Sequence, residues 1–157
     1  MKVFKTILLC MLALCIANPV FAIQKKQTAK VLKAEGPVQI KLVAEKNWID
    51  AKPGTELGEN DIVRTRKNST VIIGLNGNGK IAEIELKENS QLMFLELVKD
   101  NERKTQNTLL DLAAGEAVIK THDLAGIDSK FEIKTPTSAV AVQEGSASFS
   151  IKVERLD

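Results

Sequence analysis

The segment 147–154 reads ASFSIKVE, and its residues alternate between apolar and polar types. Successive side chains of a β-strand point to opposite faces, so this alternation predicts a strand with one buried face and one wet face. The segments 82–87, AEIELK, and 131–134, FEIK, show the same period. Turn-forming residues separate such segments every eight to twelve residues or so, which is typical of all-β domains. The sequence therefore predicts one all-β domain, built as two packed antiparallel sheets or as a short-strand, solenoid-like sandwich.

The turn sequence NGNG at positions 76–79 is the strongest local signal in the chain. Asn-Gly between strand-forming segments favours the left-handed backbone angles of a tight hairpin turn. We therefore expect strands at 69–75 and 80–86 to pair antiparallel.

Three other segments deviate from simple alternation. The runs 71–73, VII, and 93–95, MFL, are apolar at every position, which predicts strands covered on both faces. Residues 105–117 contain leucines at near-helical spacing, so a helix is an alternative there. The threonines and the asparagine of that segment favour a strand, which we prefer.

The N-terminal residues have the organisation of a secretory signal. Lys2 and Lys5 precede an apolar run at 7–17, and the following VFA at 20–22 offers small or branched residues to a signal peptidase. A membrane anchor needs about 20 apolar residues, roughly twice the length of this run. The sequence thus predicts a signal peptide at 1–22, cleavage after Ala22, and an exported protein that is periplasmic or secreted.

The two cysteines, Cys10 and Cys15, both lie inside this predicted signal. Lipid attachment at Cys15 is a minor alternative, because Leu14 stands where a lipidation signal needs a small residue. Without cysteines the mature chain has no disulfide and depends on burial of apolar surface. Removal of 22 residues from 157 leaves 135, enough for one domain with its own core.

The charge of the mature chain disfavours nucleic acid as a partner. Lys2 and Lys5 belong to the signal, so the 22 basic residues fall to 20, which balance the 20 acidic residues. A domain without net positive charge lacks the electrostatic footprint of a phosphate-binding protein. The chain ends VERLD at 153–157, without an apolar run, so we expect no integral membrane segment after cleavage.

The mature chain divides by composition into three parts. Residues 23–29, IQKKQTA, are polar and lysine-rich, which predicts a flexible leader. Residues 30–153 carry the strand and turn pattern and form the predicted β domain. Residues 154–157 are left as a short tail.

A series of short motifs runs through residues 36–149. It comprises Gly-x-Val-x-Ile from Gly36, then Trp48, Ala51 and Gly54, then LGENDIVRT at 57–65, GEAV at 115–118 and FEIKTP at 131–136. In this order and spacing the motifs resemble the FecR-like extracytoplasmic domain, named from a periplasmic regulator of iron-citrate uptake. The resemblance implies a non-enzymatic β domain that binds another protein or a cell-envelope component.

One departure from the family pattern limits what the resemblance implies. Members commonly follow Thr-Pro with a strand that begins Val-Arg-Gly-Thr, whereas residues 142–146 here read VQEGS. No role of that arginine is carried over to this chain.

The residue types needed for catalysis or metal binding are sparse. His122 is the only histidine, and with no cysteine in the mature chain a zinc site of nitrogen and sulfur ligands is excluded. We expect His122 in a solvated loop. Ser146, Ser148 and Ser150 alternate along a strand instead of occupying a nucleophile elbow, so we expect them on a wet face. We therefore predict no enzymatic activity and no cofactor, with a hydrolase as the least favoured alternative.

Glu83 and Glu85 lie two residues apart and hence on one face of a strand. Such a pair suits general acid catalysis or calcium binding. Lys80 and Lys87 flank the pair, so we favour a solvated, charge-balanced face.

Trp48 is the only tryptophan. A tryptophan most often anchors a core or the edge of a sheet, since it buries a large area. It is also the candidate partner-binding residue of this chain.

A further alternative for the whole protein is a structural, self-assembling envelope module, in which exposed strand edges add to neighbouring copies.

The signal interpretation predicts that exported protein begins at Ile23. N-terminal sequencing of exported material tests this prediction, because cleavage after Ala22 leaves Ile23 with a free amino group. A mature chain that begins with a lipid-modified Cys15 would contradict it.

Overall fold

The computed structural model describes residues 25–76, 79–100, 102–124 and 129–154. The predicted signal at 1–22, its cleavage site and Cys15 lie outside these ranges, as do residues 155–157 of the tail. Every regular element in the described ranges is a β-strand, and none of these residues is helical. The all-β prediction is therefore confirmed.

Among the described residues there is no helix of the length and apolarity that crossing a membrane requires.

The described residues form thirteen strands, numbered in chain order. Their bounds are β1 Lys25–Lys26, β2 Ala29–Glu35, β3 Val38–Lys41, β4 Ile49–Asp50, β5 Glu56–Leu57, β6 Ile62–Thr65, β7 Thr70–Leu75, β8 Ala82–Leu86, β9 Gln91–Asp100, β10 Thr105–Leu124, β11 Lys130–Lys134, β12 Ala139–Val142 and β13 Gly145–Val153.

The strands make one continuous, curled sheet in the order β4-β3-β6-β9-β10-β8-β7-β2-β5. The first half of β10 pairs with β9, and its second half pairs with β8. On its other side β10 pairs with β11 and then with β13, while β12 extends β11 and β1 pairs with β9. All pairs are antiparallel except β10 with β11. The finer prediction of two packed sheets or a solenoid is not confirmed, because β10 belongs to both halves.

The hairpin predicted from the NGNG turn is confirmed. Strand β7 pairs antiparallel with β8, with Val71 opposite Leu86 and Ile73 opposite Ile84. Asn76 adopts a φ of 58° and Gly79 a φ of 75° on either side of residues 77–78, which are not described. The left-handed angles that Asn and Gly tolerate thus reverse the chain here.

The ambiguous segment 105–117 is a strand, as we preferred. Leu110 and Leu112 are fully buried, whereas Leu109 and Asp111 are half-buried on the opposite face. This period of two is that of a strand, and it accounts for leucines that also fit a helical spacing.

The prediction that two apolar runs are covered on both faces is wrong. Ile72, Met93 and Leu95 are half-buried on the outer face of the sheet, while Val71 and Phe94 point into the core. An uninterrupted apolar run therefore marks here a strand with a half-exposed outer face.

The polar segment expected to be a flexible leader is part of the sheet from Lys25 onward. Lys26 in β1 pairs with Val98 of β9, and the Gln27 amide donates to the Leu97 carbonyl at 3.1 Å. Gln27 itself is only 3% exposed. Backbone hydrogen bonds, which do not depend on side-chain polarity, hold this lysine-rich stretch.

One core fills the inside of the curl. Its side chains come from both halves of the sheet, and the alternation at 147–154 contributes to it as predicted. Ile151 is buried, Phe149 is partly buried, and the intervening serines are exposed. The largest fully buried side chains are Phe94, Phe131, Ile40, Leu57, Ile73, Leu75, Ile84, Leu86, Leu92, Leu97, Leu110 and Leu112.

The passage of β10 from one half to the other takes place at Gly115. Pairing with β9 ends at Ala114 opposite Gln91, and pairing with β13 begins at Gly115 opposite Val153. Gly115 has a φ of 86°, and a Cβ there would lie 2.2 Å from the Ser90 Oγ and 2.5 Å from the Ser90 Cα. A side chain at this position therefore requires a shift of Ser90 or of the backbone.

We predict that Gly115→Ala lowers the free energy of unfolding by about 2–5 kcal/mol. About 1–2 kcal/mol arises from a left-handed residue with a Cβ, and about 1–3 kcal/mol from overpacking against Ser90. Denaturant unfolding measures the change. Gly54→Ala is the matched control, because Gly54 has a φ of 90° but nothing lies within 4 Å of its Cβ position. Equal losses in the two variants would contradict the close contact with Ser90.

Candidate functional site

The candidate site lies on the outer face of the sheet, where three neighbouring strands present polar and aromatic side chains together. Gln39 of β3 is opposite Arg64 of β6 on one side and Asp50 of β4 on the other. Trp48 immediately precedes β4. Because opposite residues in a sheet share a face, the register gathers these side chains at one place.

The Arg64 guanidinium lies over the Trp48 ring, 3.7 Å from its centroid. Its Nε and Nη2 both donate to the Gln39 Oε1, at 3.0 Å and 2.7 Å. The two hydrogen bonds hold the guanidinium in the geometry of a cation–π contact. Burial, and then the charge of Arg66, lowers the pKa of Arg64. The guanidinium stays charged, because its ordinary pKa is far above neutrality.

A shallow depression adjoins this arrangement. Trp48, Ile49, Asp50, Lys52 and Thr55 line it. The Ile49 side chain is 38% exposed. Ile49 is opposite the buried Ile40, so its side chain lies on the core side of β4, and the depression reaches it at the end of the sheet.

The prediction that Trp48 anchors the core or the edge of a sheet holds in its second form. Trp48 is half-buried and does not belong to the core. It lies beside β4, a strand at the end of the sheet order, as an edge anchor would. Its binding role stays a prediction.

The motif at 61–65 divides between structural and outward-facing residues. Asp61 is buried, and its carboxylate accepts from the amides of Val43 and Gly58 at 2.7 Å each. Thr65 is also buried, and it is bound to the turn that precedes β9. Arg64 lies on the outer face beside Trp48. The sequence pattern alone did not single out Arg64, and the available signal was its position next to the apolar Val63, since neighbouring residues of a strand point to opposite faces.

The residues considered for hydrolysis do not form a catalytic arrangement. His122 is exposed and lies within β10, so the prediction that it occupies a loop is wrong; its amide donates to the Ile81 carbonyl at 2.8 Å. Ser146, Ser148 and Ser150 are exposed along β13, as predicted. Ser150 donates to a glutamate, through its Oγ, instead of approaching a base.

Glu83 and Glu85 lie on the outer face of β8. Lys120 of β10 is opposite Glu83, and Glu85 accepts a hydrogen bond from Lys87 at 2.7 Å. Lysines thus accompany these carboxylates, as a solvated face requires. Within the described part of the chain, no three His, Cys, Asp or Glu side chains are placed to hold a metal ion.

The described residues form an all-β domain with a curled sheet, and its outer face carries the stacked Trp48 and Arg64. The chain belongs to the FecR protein family, whose model matches residues 61–156, more than half of the 157 residues. The resemblance seen in the sequence motifs is thereby confirmed. Arg64 lies within the matched segment, whereas Trp48 and Gln39 precede it. No curated protein and no solved structure matches the chain.

We predict that Trp48 and Arg64 stabilise each other by about 0.5–1 kcal/mol, as expected for a partly exposed cation–π pair. A double-mutant cycle of Trp48→Leu and Arg64→Met, measured by denaturant unfolding, isolates this coupling. Trp48→Ala should cost less than the about 3–5 kcal/mol of a fully buried tryptophan.

Arg66→Met is the matched control, because Arg66 is an exposed arginine two residues from Arg64. The fluorescence of the only tryptophan gives a second measurement: Arg64→Met should shift its emission, and Arg66→Met should not. A coupling energy of zero would contradict the stacked geometry.

Proposed function

We propose that this protein is a non-enzymatic, exported domain that binds another protein or a cell-envelope component through the surface around Trp48. The observation that carries the proposal is the half-buried indole, held under Arg64 and next to a depression that the exposed Ile49 also lines. The FecR family membership supports a domain of this kind.

Residue chemistry supports a binding surface here. Tryptophan and arginine are the types most enriched among residues that dominate binding energy. An indole supplies a large contact area with few rotatable bonds, so little entropy is lost when a partner covers it. Gln39 already orients the Arg64 guanidinium, which reduces the cost of ordering it on binding.

The rest of the outer surface offers less to a partner. A larger open cleft is lined by turn and charged residues, among them Asn68, Glu88 and Lys152, and none of its lining residues is aromatic. An ion pair that a partner forms with such exposed charged side chains contributes little energy, since water competes for both groups. The surface around Trp48 therefore supports a binding function better than the cleft does.

An enzymatic role has little support. His122 is a solvent-exposed strand residue. The candidate nucleophiles Ser146, Ser148 and Ser150 lie on the exposed face of β13. The self-assembling module stays an alternative for which the edges of the sheet are the relevant feature.

Quantitative capture from envelope extracts tests the proposal, with the protein from Ile23 onward as bait. We expect Trp48→Ala and Arg64→Gln to lose at least about tenfold of the specifically captured partner, the loss typical of one dominant contact residue. His122→Ala should capture as much as the wild type.

Phe149→Ala is the matched aromatic control, because Phe149 is also partly buried but lies on β13, in the other half of the sheet. Circular dichroism of each variant verifies the fold. Undiminished capture by folded Trp48→Ala would refute the proposed site, and loss of activity in folded His122→Ala would point to an enzyme.

A further inference from the structure

The edge strand β12 presents an unpaired backbone to solvent. In the described part of the chain it pairs with β11 alone, with Val140 opposite Ile133 and Ala141 opposite Glu132. Its other side consequently carries amide and carbonyl groups that have no strand beside them. Such a row of groups is a template for a further strand.

The chemistry of this edge lacks the usual protection. Strand β12 itself reads AVAV and contains neither a charged side chain nor a proline, since Pro136 lies before the strand. Soluble proteins normally guard a free edge with lysine, proline, a bulge or a very short strand. The other free edges fit that rule better: β4 and β5 have two residues each, and β13 carries Lys152. Strand β12 is therefore the most receptive edge among the described strands.

The core also lies open at this edge. Val140 and Val142 are opposite Ile133 and Phe131, which are fully buried, so both valines face the core side. Val142 packs against the core, but Val140 is 37% exposed. A strand added beside β12 would cover Val140 and continue the core by one strand.

We propose that β12 pairs antiparallel with β12 of a second copy of this chain, about a two-fold axis at Ala141. Opposite residues of paired strands must share a face, which this register satisfies. Val140 of one copy then lies opposite Val142 of the other on the core side. On the outer face, Ala141 of one copy lies opposite Ala141 of the other. The edge is thus complementary to itself, which favours a second copy as the occupant.

The charges near the axis do not oppose this pairing. Lys130 and Lys134 of β11 both form ion pairs with Glu132, and the hydrogen bond from Lys130 holds the pKa of Glu132 below its usual range. The two copies of this charged row would stand three strand spacings apart, about 14 Å. That separation exceeds the Debye length at physiological ionic strength, about 8 Å.

This inference goes beyond the proposed function and does not depend on the surface around Trp48. The two are distinguishable, because Trp48→Ala should leave dimerisation unchanged, and a monomeric edge variant should still bind a partner through Trp48.

Light scattering coupled to size exclusion tests the dimer, with the chain from Ile23 onward at about 1 μM to about 1 mM, the range that brackets typical weak to moderate association. We expect the mass to rise from that of one chain to that of two. Ala141→Lys alone and Ala141→Glu alone should each raise the dimer dissociation constant at least tenfold, because like charges then face each other across the axis. An equimolar mixture of the two variants should dimerise again, since opposite charges then meet.

The control pair is Ala44→Lys and Ala44→Glu, because Ala44 is exposed in the loop between β3 and β4. Each should dimerise as the wild type does, and denaturant unfolding of all four variants verifies that they fold. A wild type that stays monomeric at about 1 mM would overturn the proposal. So would a dimer insensitive to charge at position 141, or two weakened variants whose mixture does not recover.

Discussion

The contact between Gly115 and Ser90 is the constraint on which the rest of the structure depends. Strand β10 can serve both halves of the sheet only if its backbone passes directly over Ser90. The Ser90 Oγ then accepts from the Glu116 amide at 2.9 Å, and the Ser90 amide donates to the Thr65 Oγ1 at the same distance. One small residue and two hydroxyl groups thus join β6, β9 and β10 in the interior.

The same junction reaches the outer surface through one strand. Thr65 is the last residue of β6, and its Oγ1 also donates to the Lys87 carbonyl at 2.6 Å. The strand that these bonds hold presents Arg64 on its other face, where the guanidinium covers Trp48. A buried hydrogen-bond network therefore sets the position of a surface cation. The position of Arg64 over Trp48 thus depends on hydrogen bonds made by the neighbouring residue of the same strand.

Local patterns were sufficient to predict the elements whose causes are local. The NGNG turn predicted the β7–β8 hairpin, and the alternation at 147–154 predicted β13, because both depend on neighbouring residues alone. The stacking of Arg64 on Trp48 depends instead on Gln39, 25 residues before the arginine, and on the register of three strands. No spacing within the sequence encodes that register. The pairing of Lys25–Lys26 with β9 was not predicted for a related reason. Backbone groups form these hydrogen bonds, and the pattern of side chains gives no information about them.

The length of β10 has a consequence for how this protein opens and folds. Strand β10 is paired on both sides at residues 107–111 and 117–121, half of its twenty residues, with one of these stretches in each half of the sheet. Releasing β10 from one half of the sheet therefore disturbs its pairing in the other half. The two halves should therefore behave as one cooperative unit, with the amides of β10 exchanging their hydrogens only on global unfolding. Its partners also come from distant parts of the chain, from β8 before it to β13 after it. Formation of this strand must wait for loop closures that are entropically costly, which places the fold among the slow-folding β topologies.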